Sequence, residues 1–157
     1  TLSNAVYERI SHQFEASCFI ANIREETRTH SLVNLQKQLI YEILMEREIN
    51  IWNEHAASRV MASRLRNKKV LIVLDDVDGE DQLEALSKSH DWFGQGSRII
   101  ITSRDLHLLS SYVDDTYNVK LLNNAEALQL FSLKAFKKPH LEENFVQLSM
   151  DIVNYTQ

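Results

Sequence analysis

The chain has 157 residues, of which 44% are hydrophobic and 25% charged, and its formal net charge is −5. This composition is that of an ordinary globular protein, and the length suffices for one substantial core but not for two full domains with linkers. The acidic balance argues against a nucleic-acid backbone as a partner, the single cysteine excludes an internal disulfide framework, and no apolar run is long enough for a membrane span.

Helical and strand patterns alternate along the first part of the chain. Helical spacing of apolar residues predicts a helix over residues 1–12, and β-branched and aromatic residues predict a strand over 17–23. Residues 24–28 are typical of a charged loop, after which Ser31 is predicted to cap a long helix. A further helix is predicted over residues 52–66.

The strongest chemical signal lies in the middle of the chain. Residues 70–74 are consecutive aliphatics, which predict a strand buried on both faces in a parallel sheet under helices. Asp75 and Asp76 follow directly, where open α/β sheets bind ligands. Two acids there can hold a hydrated Mg²⁺ and polarise a water beside a phosphate. The run alone is equally compatible with acids that only solubilise the loop or cap a helix.

The second half of the chain continues the alternation. A short helix is predicted over residues 82–86, a second fully buried strand over 97–102 and a short helix over 106–112. A last strand is predicted over 117–121, and Asn124 is expected to cap the first of the final helices. The alternation predicts an α/β fold with a parallel sheet and right-handed crossovers.

Arg104 comes just after the second buried strand. If the two buried strands are neighbours, its guanidinium and the carboxylates of Asp75 and Asp76 converge at one edge of the sheet. A Mg²⁺–phosphate group uses acids for the metal and the water, and a planar cation for the terminal phosphate oxygens. These residues are therefore the candidate site.

Ordered blocks across most of the chain resemble the NB-ARC nucleotide-binding domain of plant disease-resistance proteins with leucine-rich repeats (NBS-LRR proteins). Residues 69–78 resemble the Walker B, or kinase-2, motif, and residues 96–105 are similar to the next motif, whose Arg contacts the terminal phosphate. Residues 18–25 and 117–138 match further blocks of the family. The residue after Asp-Asp-Val is Asp78, and an Asp at this position resembles the class whose parent proteins carry an N-terminal Toll/interleukin-receptor (TIR) domain.

The resemblance implies a P-loop NTPase-like sheet flanked by helices. Residues 1–122 would form part of the nucleotide-binding α/β subdomain, and residues 123–157 the start of a helical subdomain. The family's phosphate-binding loop, G-x-x-x-x-G-K-T, and its strand would directly precede Thr1. Because that loop is outside the 157 residues, we expect the chain by itself to bind nucleotide poorly.

The resemblance also implies a molecular switch of plant innate immunity that binds ADP or ATP with Mg²⁺ and hydrolyses ATP slowly. Asp75 would coordinate Mg²⁺, Asp76 would orient or deprotonate the attacking water, and Arg104 would sense the γ-phosphate. Thr1 would add a minor contact to the nucleotide. The implied partners are the TIR and leucine-rich-repeat domains of the parent chain and an oligomer formed on activation. A cytoplasmic setting is expected, without nucleic acid or a membrane span.

Other function classes stay open. A nucleotide-independent interaction scaffold would keep the fold without the chemistry, although it has no use for acids and an Arg at neighbouring strand ends. A Mg²⁺-dependent nuclease built on Asp75 and Asp76 would need a supporting carboxylate cluster and a basic surface, and the sequence indicates neither.

Overall fold

The computed structural model describes residues 2–46, 49–138 and 143–155. The chain divides into two compact units, Thr1–Thr116 and Tyr117–Gln157. The assignment of residues 1–122 and 123–157 to separate subdomains stays a prediction.

A parallel sheet lies at the centre of the first unit. In the described part of the chain it has three strands, β1 (Ala16–Ile20), β2 (Val70–Val77) and β3 (Arg98–Ser103). They lie in the order β1-β2-β3, and both neighbouring pairs run parallel. The predicted α/β class with a parallel sheet is therefore confirmed.

The helices of the first unit are α1 (Leu2–Ile10), α2 (Ile23–Thr29), α3 (Leu32–Leu44), α4 (Glu54–Arg64), α5 (Glu80–Ser87) and α6 (Leu106–Ser110). They cover the sheet: α1 and α2 pack on β2, α3 packs on β1, and α4 and α5 pack on α3. Short 3₁₀ turns lie at Ser11–Gln13 and His90–Trp92.

The predicted burial of the aliphatic run is confirmed. Val70, Leu71, Ile72, Val73 and Leu74 are each 0% exposed. They have this environment because β2 is the central strand, paired with β1 on one side and β3 on the other, and helices cover the sheet. The run therefore fixes the position of the acids that follow it.

The prediction that the second apolar strand is fully buried is wrong. Arg98 is exposed, and the rest of β3 is only partly buried. Ile99 and Ile101 nevertheless pack against the core. The cause is that β3 pairs only with β2 in the described part of the chain, so it is an edge strand there.

The structure corrects two further predictions. Residues 24–28 lie in helix α2 rather than in a loop, and the Thr27 hydroxyl donates back to the carbonyl oxygens of Ile23 and Arg24. Residues 117–121 form no strand and pair with none in the described part of the chain. Alternating apolar residues indicate a strand, but a strand also needs a partner for its backbone.

The second unit contains α7 (Asn124–Ala135) and α8 (Glu143–Tyr155), which pack on each other. Asn123, not Asn124, caps α7: its side chain accepts from the Glu126 N–H at 3.0 Å, and Glu126 accepts from the Asn123 N–H at 2.9 Å. The ring of Phe136 lies 6.1 Å from that of Phe131 and 5.4 Å from that of Phe145.

The loop before β3 approaches the start of β2 so closely that only glycine fits at position 94. A Cβ on Gly94 would lie 2.7 Å from the carbonyl carbon and oxygen of Lys68. The Gly94 N–H donates to the same oxygen at 2.9 Å. The loop and the first residues of β2 are therefore in direct backbone contact.

We expect Gly94→Ala to lower the free energy of unfolding by about 1–3 kcal/mol, the typical cost of forcing atoms into a packed site. The measurement is the urea midpoint of the parent protein. Gly79→Ala is the control, since a Cβ there meets mainly the flexible carboxylate of Asp81, and a lost glycine N-cap costs about 1 kcal/mol at most. Equal shifts for both variants would contradict the backbone contact at Gly94.

Candidate functional site

The end of β2 carries an irregularity at the acidic pair. Leu74 pairs with Ile101 and Val77 with Ser103, so β2 has one residue more than β3 between these pairs. Asp76 has a φ of 59°, a left-handed conformation that costs a residue other than glycine about 1–3 kcal/mol and that is concentrated at functional sites. This bulge lies where the sequence predicts the ligand site.

The hydroxyl of Thr102 on β3 joins the acids across the two strands. It donates to Asp75 Oδ1 at 2.9 Å and accepts from the Asp76 N–H at 2.8 Å. Ser3 Oγ, on α1, donates to the same Oδ1 at 2.8 Å. The orientation of the Asp75 carboxylate is therefore set by hydroxyls from two other elements. Neither hydroxyl has a signal in the sequence, because its position at the site depends on strand register and helix packing.

Asp75 Oδ2 accepts no hydrogen bond from any described residue. An oriented carboxylate with one open oxygen suits Mg²⁺, which is usually bound through one or two carboxylates together with water and substrate phosphates. No group of three or more His, Cys, Asp or Glu among the described residues is placed to hold a metal alone. The open oxygen of Asp75 fits a cation that is shared with a bound phosphate.

Asp76 pairs with a cation from the segment 24–28, which the sequence predicts as a charged loop. Arg24 Nη2 lies 3.0 Å from Asp76 Oδ2, and the side chains are 34% and 25% exposed. Arg24 stands at the beginning of α2, just after Asn22, whose φ of 52° is also left-handed. Because β1 and β2 are parallel neighbours, the residues after β1 reach the carboxyl end of β2.

A buried glutamine fixes the loop that follows the acids. Gln82, 4% exposed, accepts at Oε1 from the N–H groups of Asp78 at 2.9 Å and Gly79 at 3.2 Å. Its Nε2 donates to Asp78 Oδ1 at 2.8 Å and to Thr27 Oγ1 at 2.9 Å. This network ties α2 to the end of β2 through α5.

Arg104 follows β3 directly and is exposed. The pairing of Ser103 with Val77 shows that β3 ends beside the acidic end of β2, so the two strands are neighbours, as the prediction requires. The convergence of the Arg104 guanidinium with the two carboxylates stays a prediction. Arg104 makes no hydrogen bond or ion pair within the described residues, which leaves its guanidinium available. Thr1 lies outside the described residues.

Cys18 is a residue of the hydrophobic core. It is 0% exposed within the core, and burial raises the pKa of its thiol, with a further contribution from Glu42. A buried neutral thiol is a small hydrophobe rather than a nucleophile.

Comparison with known proteins identifies the same family as the sequence motifs do. The model of the NB-ARC domain family matches residues 1–141. The chain is 44% identical over 164 residues to TMV resistance protein N of Nicotiana glutinosa, covering 100% of the chain and 14% of that protein. It is 42% identical over 159 residues to disease resistance protein RUN1 of Vitis rotundifolia, covering 100% of the chain and 12% of that protein.

A third relative is disease resistance-like protein DSC1 of Arabidopsis thaliana, 38% identical over 157 residues, with 100% of the chain and 13% of that protein covered. The chain thus spans only 12–14% of the length of these relatives. No helix in the described part of the chain is long and apolar enough to cross a membrane. The match over residues 1–141 shows that this chain belongs to the NB-ARC domain family.

Proposed function

We propose that the chain is part of an ADP/ATP-binding molecular switch in a plant immune receptor. The observation that carries the proposal is the Asp75 carboxylate, fixed at Oδ1 by two hydroxyls and open at Oδ2, at the strand ends that also carry Arg104. Membership of the NB-ARC family supports a nucleotide as the ligand. The names of the relatives, which are resistance proteins, support defence signalling as the role of the parent protein.

Each candidate residue has a distinct role in the proposal. Asp75 would hold Mg²⁺, which when bound neutralises charge on the phosphates. Asp76 would orient or deprotonate the attacking water through Oδ1, which accepts no hydrogen bond from the described residues. Arg104 would contact the γ-phosphate, where charge accumulates during hydrolysis. Thr1, outside the described residues, would contact the nucleotide.

We further propose that ADP holds the resting state and that exchange for ATP permits rearrangement and oligomerisation. Other domains of the parent chain, of the TIR and leucine-rich-repeat types, would be the partners, and the cytoplasm the setting. A nucleotide can shift such an equilibrium only through contacts that differ between ADP and ATP. Among the candidate residues, Arg104 is the one assigned to the phosphate that only ATP carries.

We expect Arg104→Ala to weaken ATP binding by the parent protein about tenfold to a hundredfold. This follows from the roughly 1.5–3 kcal/mol of a hydrogen bond to a charged group. ADP binding should change less than about twofold, because ADP lacks the γ-phosphate. Isothermal titration calorimetry with each nucleotide and Mg²⁺ measures both affinities.

Arg98→Ala is the matched control. Arg98 is also exposed but stands at the opposite end of β3, where its Nη1 donates to the Ser97 carbonyl. It should leave both affinities unchanged. An equal loss of ATP and ADP affinity in Arg104→Ala would remove Arg104 as a γ-phosphate sensor.

A further inference from the structure

The ion pair between Arg24 and Asp76 is held from both sides of the site. On the Asp76 side, the Thr102 hydroxyl accepts from the backbone N–H and stabilises the left-handed turn. On the Arg24 side, the link from Thr27 to Gln82 ties α2 to the loop after β2. Each partner of the pair is thus held by contacts other than the pair itself.

We propose that Arg24 is a positioning residue for Asp76. Its Nη2, 3.0 Å from Oδ2, holds one carboxylate oxygen and leaves Oδ1, which accepts no hydrogen bond from the described residues, for the attacking water. Without Arg24, a carboxylate on a left-handed backbone would sample other rotamers. The inference rests on the proposed function, because it assigns Arg24 to the same hydrolytic site.

The surroundings of Arg24 favour action through Asp76 over direct contact with phosphate. Nε is buried without a hydrogen-bond partner among the described residues, so a ligand in solvent does not reach it. Nη2 is engaged by Asp76. Arg104 differs, since it is exposed and makes no ion pair in the described part of the chain.

The test is a double-mutant cycle in the parent protein, with Arg24→Gln, Asp76→Asn and the combination. Single-turnover phosphate release measures hydrolysis, and calorimetry measures Mg·ADP and Mg·ATP affinity. Arg24→Gln should slow hydrolysis about tenfold to a hundredfold, because a less well oriented base loses part of the roughly hundredfold to ten-thousandfold that general base catalysis contributes. Both affinities should stay within about twofold, since positioning a base adds little to ground-state binding.

The cycle separates positioning from direct contact. In the Asp76→Asn background, Arg24→Gln should cause no further loss of rate, because the group through which it acts is gone. Arg24→Lys should restore part of the rate, since it keeps the charge but not the planar fork. Arg28→Gln is the control on the same helix, because among the described residues Arg28 pairs only with Glu25, at 3.5 Å. It should leave the rate unchanged.

Other results would overturn the inference. An undiminished effect of Arg24→Gln in the Asp76→Asn background, or a selective loss of ATP affinity, would make Arg24 a phosphate ligand. If the parent protein binds no nucleotide, the proposed function itself is contradicted. The urea midpoints of the same four proteins would then still test the pair: coupled shifts would support it, and additive shifts would overturn it.

Discussion

Asp76→Asn in the parent protein is expected to slow ATP hydrolysis by about a hundredfold to ten-thousandfold, the usual contribution of a positioned general base. ATP affinity should change little, because the variant removes the proton acceptor without touching the proposed phosphate and Mg²⁺ contacts of Arg104 and Asp75. Single-turnover hydrolysis and calorimetry on the same preparation measure the two quantities.

The variant is suited to the test because asparagine fits the backbone at this position. A φ of 59° is tolerated by Asn as readily as by Asp, and the amide oxygen can still accept from Arg24. Asp81→Asn removes a charge from an exposed position on α5 and should leave turnover unchanged. Unchanged turnover in Asp76→Asn would remove Asp76 from the mechanism.

Sequence reasoning succeeds where the signal is local. Residues 70–74 predict the buried central strand because an unbroken aliphatic run is stable only where both faces are covered. The position of Asp75 and Asp76 at its carboxyl end follows from the order of residues alone. The sequence also predicts that the end of β3, which Arg104 follows, lies beside the acidic end of β2. This requires only that the two parallel strands are neighbours, and they are.

Sequence reasoning fails where a contact depends on register or on one backbone angle. The bridge from Thr102 to both acids requires the shifted pairing between Leu74 and Val77. Arg24 reaches Asp76 because Asn22 turns the chain through a left-handed conformation into α2. No residue pattern in the sequence predicts the left-handed φ of Asn22 or the shifted pairing between Leu74 and Val77. Without that angle, the charged residues 24–28 cannot be told from a loop.

The residues of this chain alone are expected to bind ADP at least about a thousandfold more weakly than the parent protein. Around the site they supply Asp75 and Asp76, which repel phosphate without a metal, Arg104, which is assigned to the γ-phosphate that ADP lacks, and Arg24, which is engaged by Asp76. A hydrogen bond to a charged group contributes about 1.5–3 kcal/mol, whereas micromolar affinity requires about 8 kcal/mol.

The remaining affinity is expected from the loop that the family resemblance places directly before Thr1. A Gly-rich loop offers backbone N–H groups, a Lys for the β- and γ-phosphates and a hydroxyl for Mg²⁺. The matched comparison is therefore between residues 1–157 and a parent protein that includes such a loop. Retained folding of residues 1–157, checked by circular dichroism, is the control.

The most direct test of the nucleotide switch is a calorimetric titration of Mg·ADP into both proteins. We predict saturable one-to-one binding of micromolar or tighter affinity by the parent protein, and no detectable micromolar binding by residues 1–157. Micromolar binding by residues 1–157 would contradict the contribution assigned to the upstream loop. A folded parent protein that binds no ADP would contradict the switch itself and leave Asp75, Asp76 and Arg104 in a nucleotide-independent scaffold.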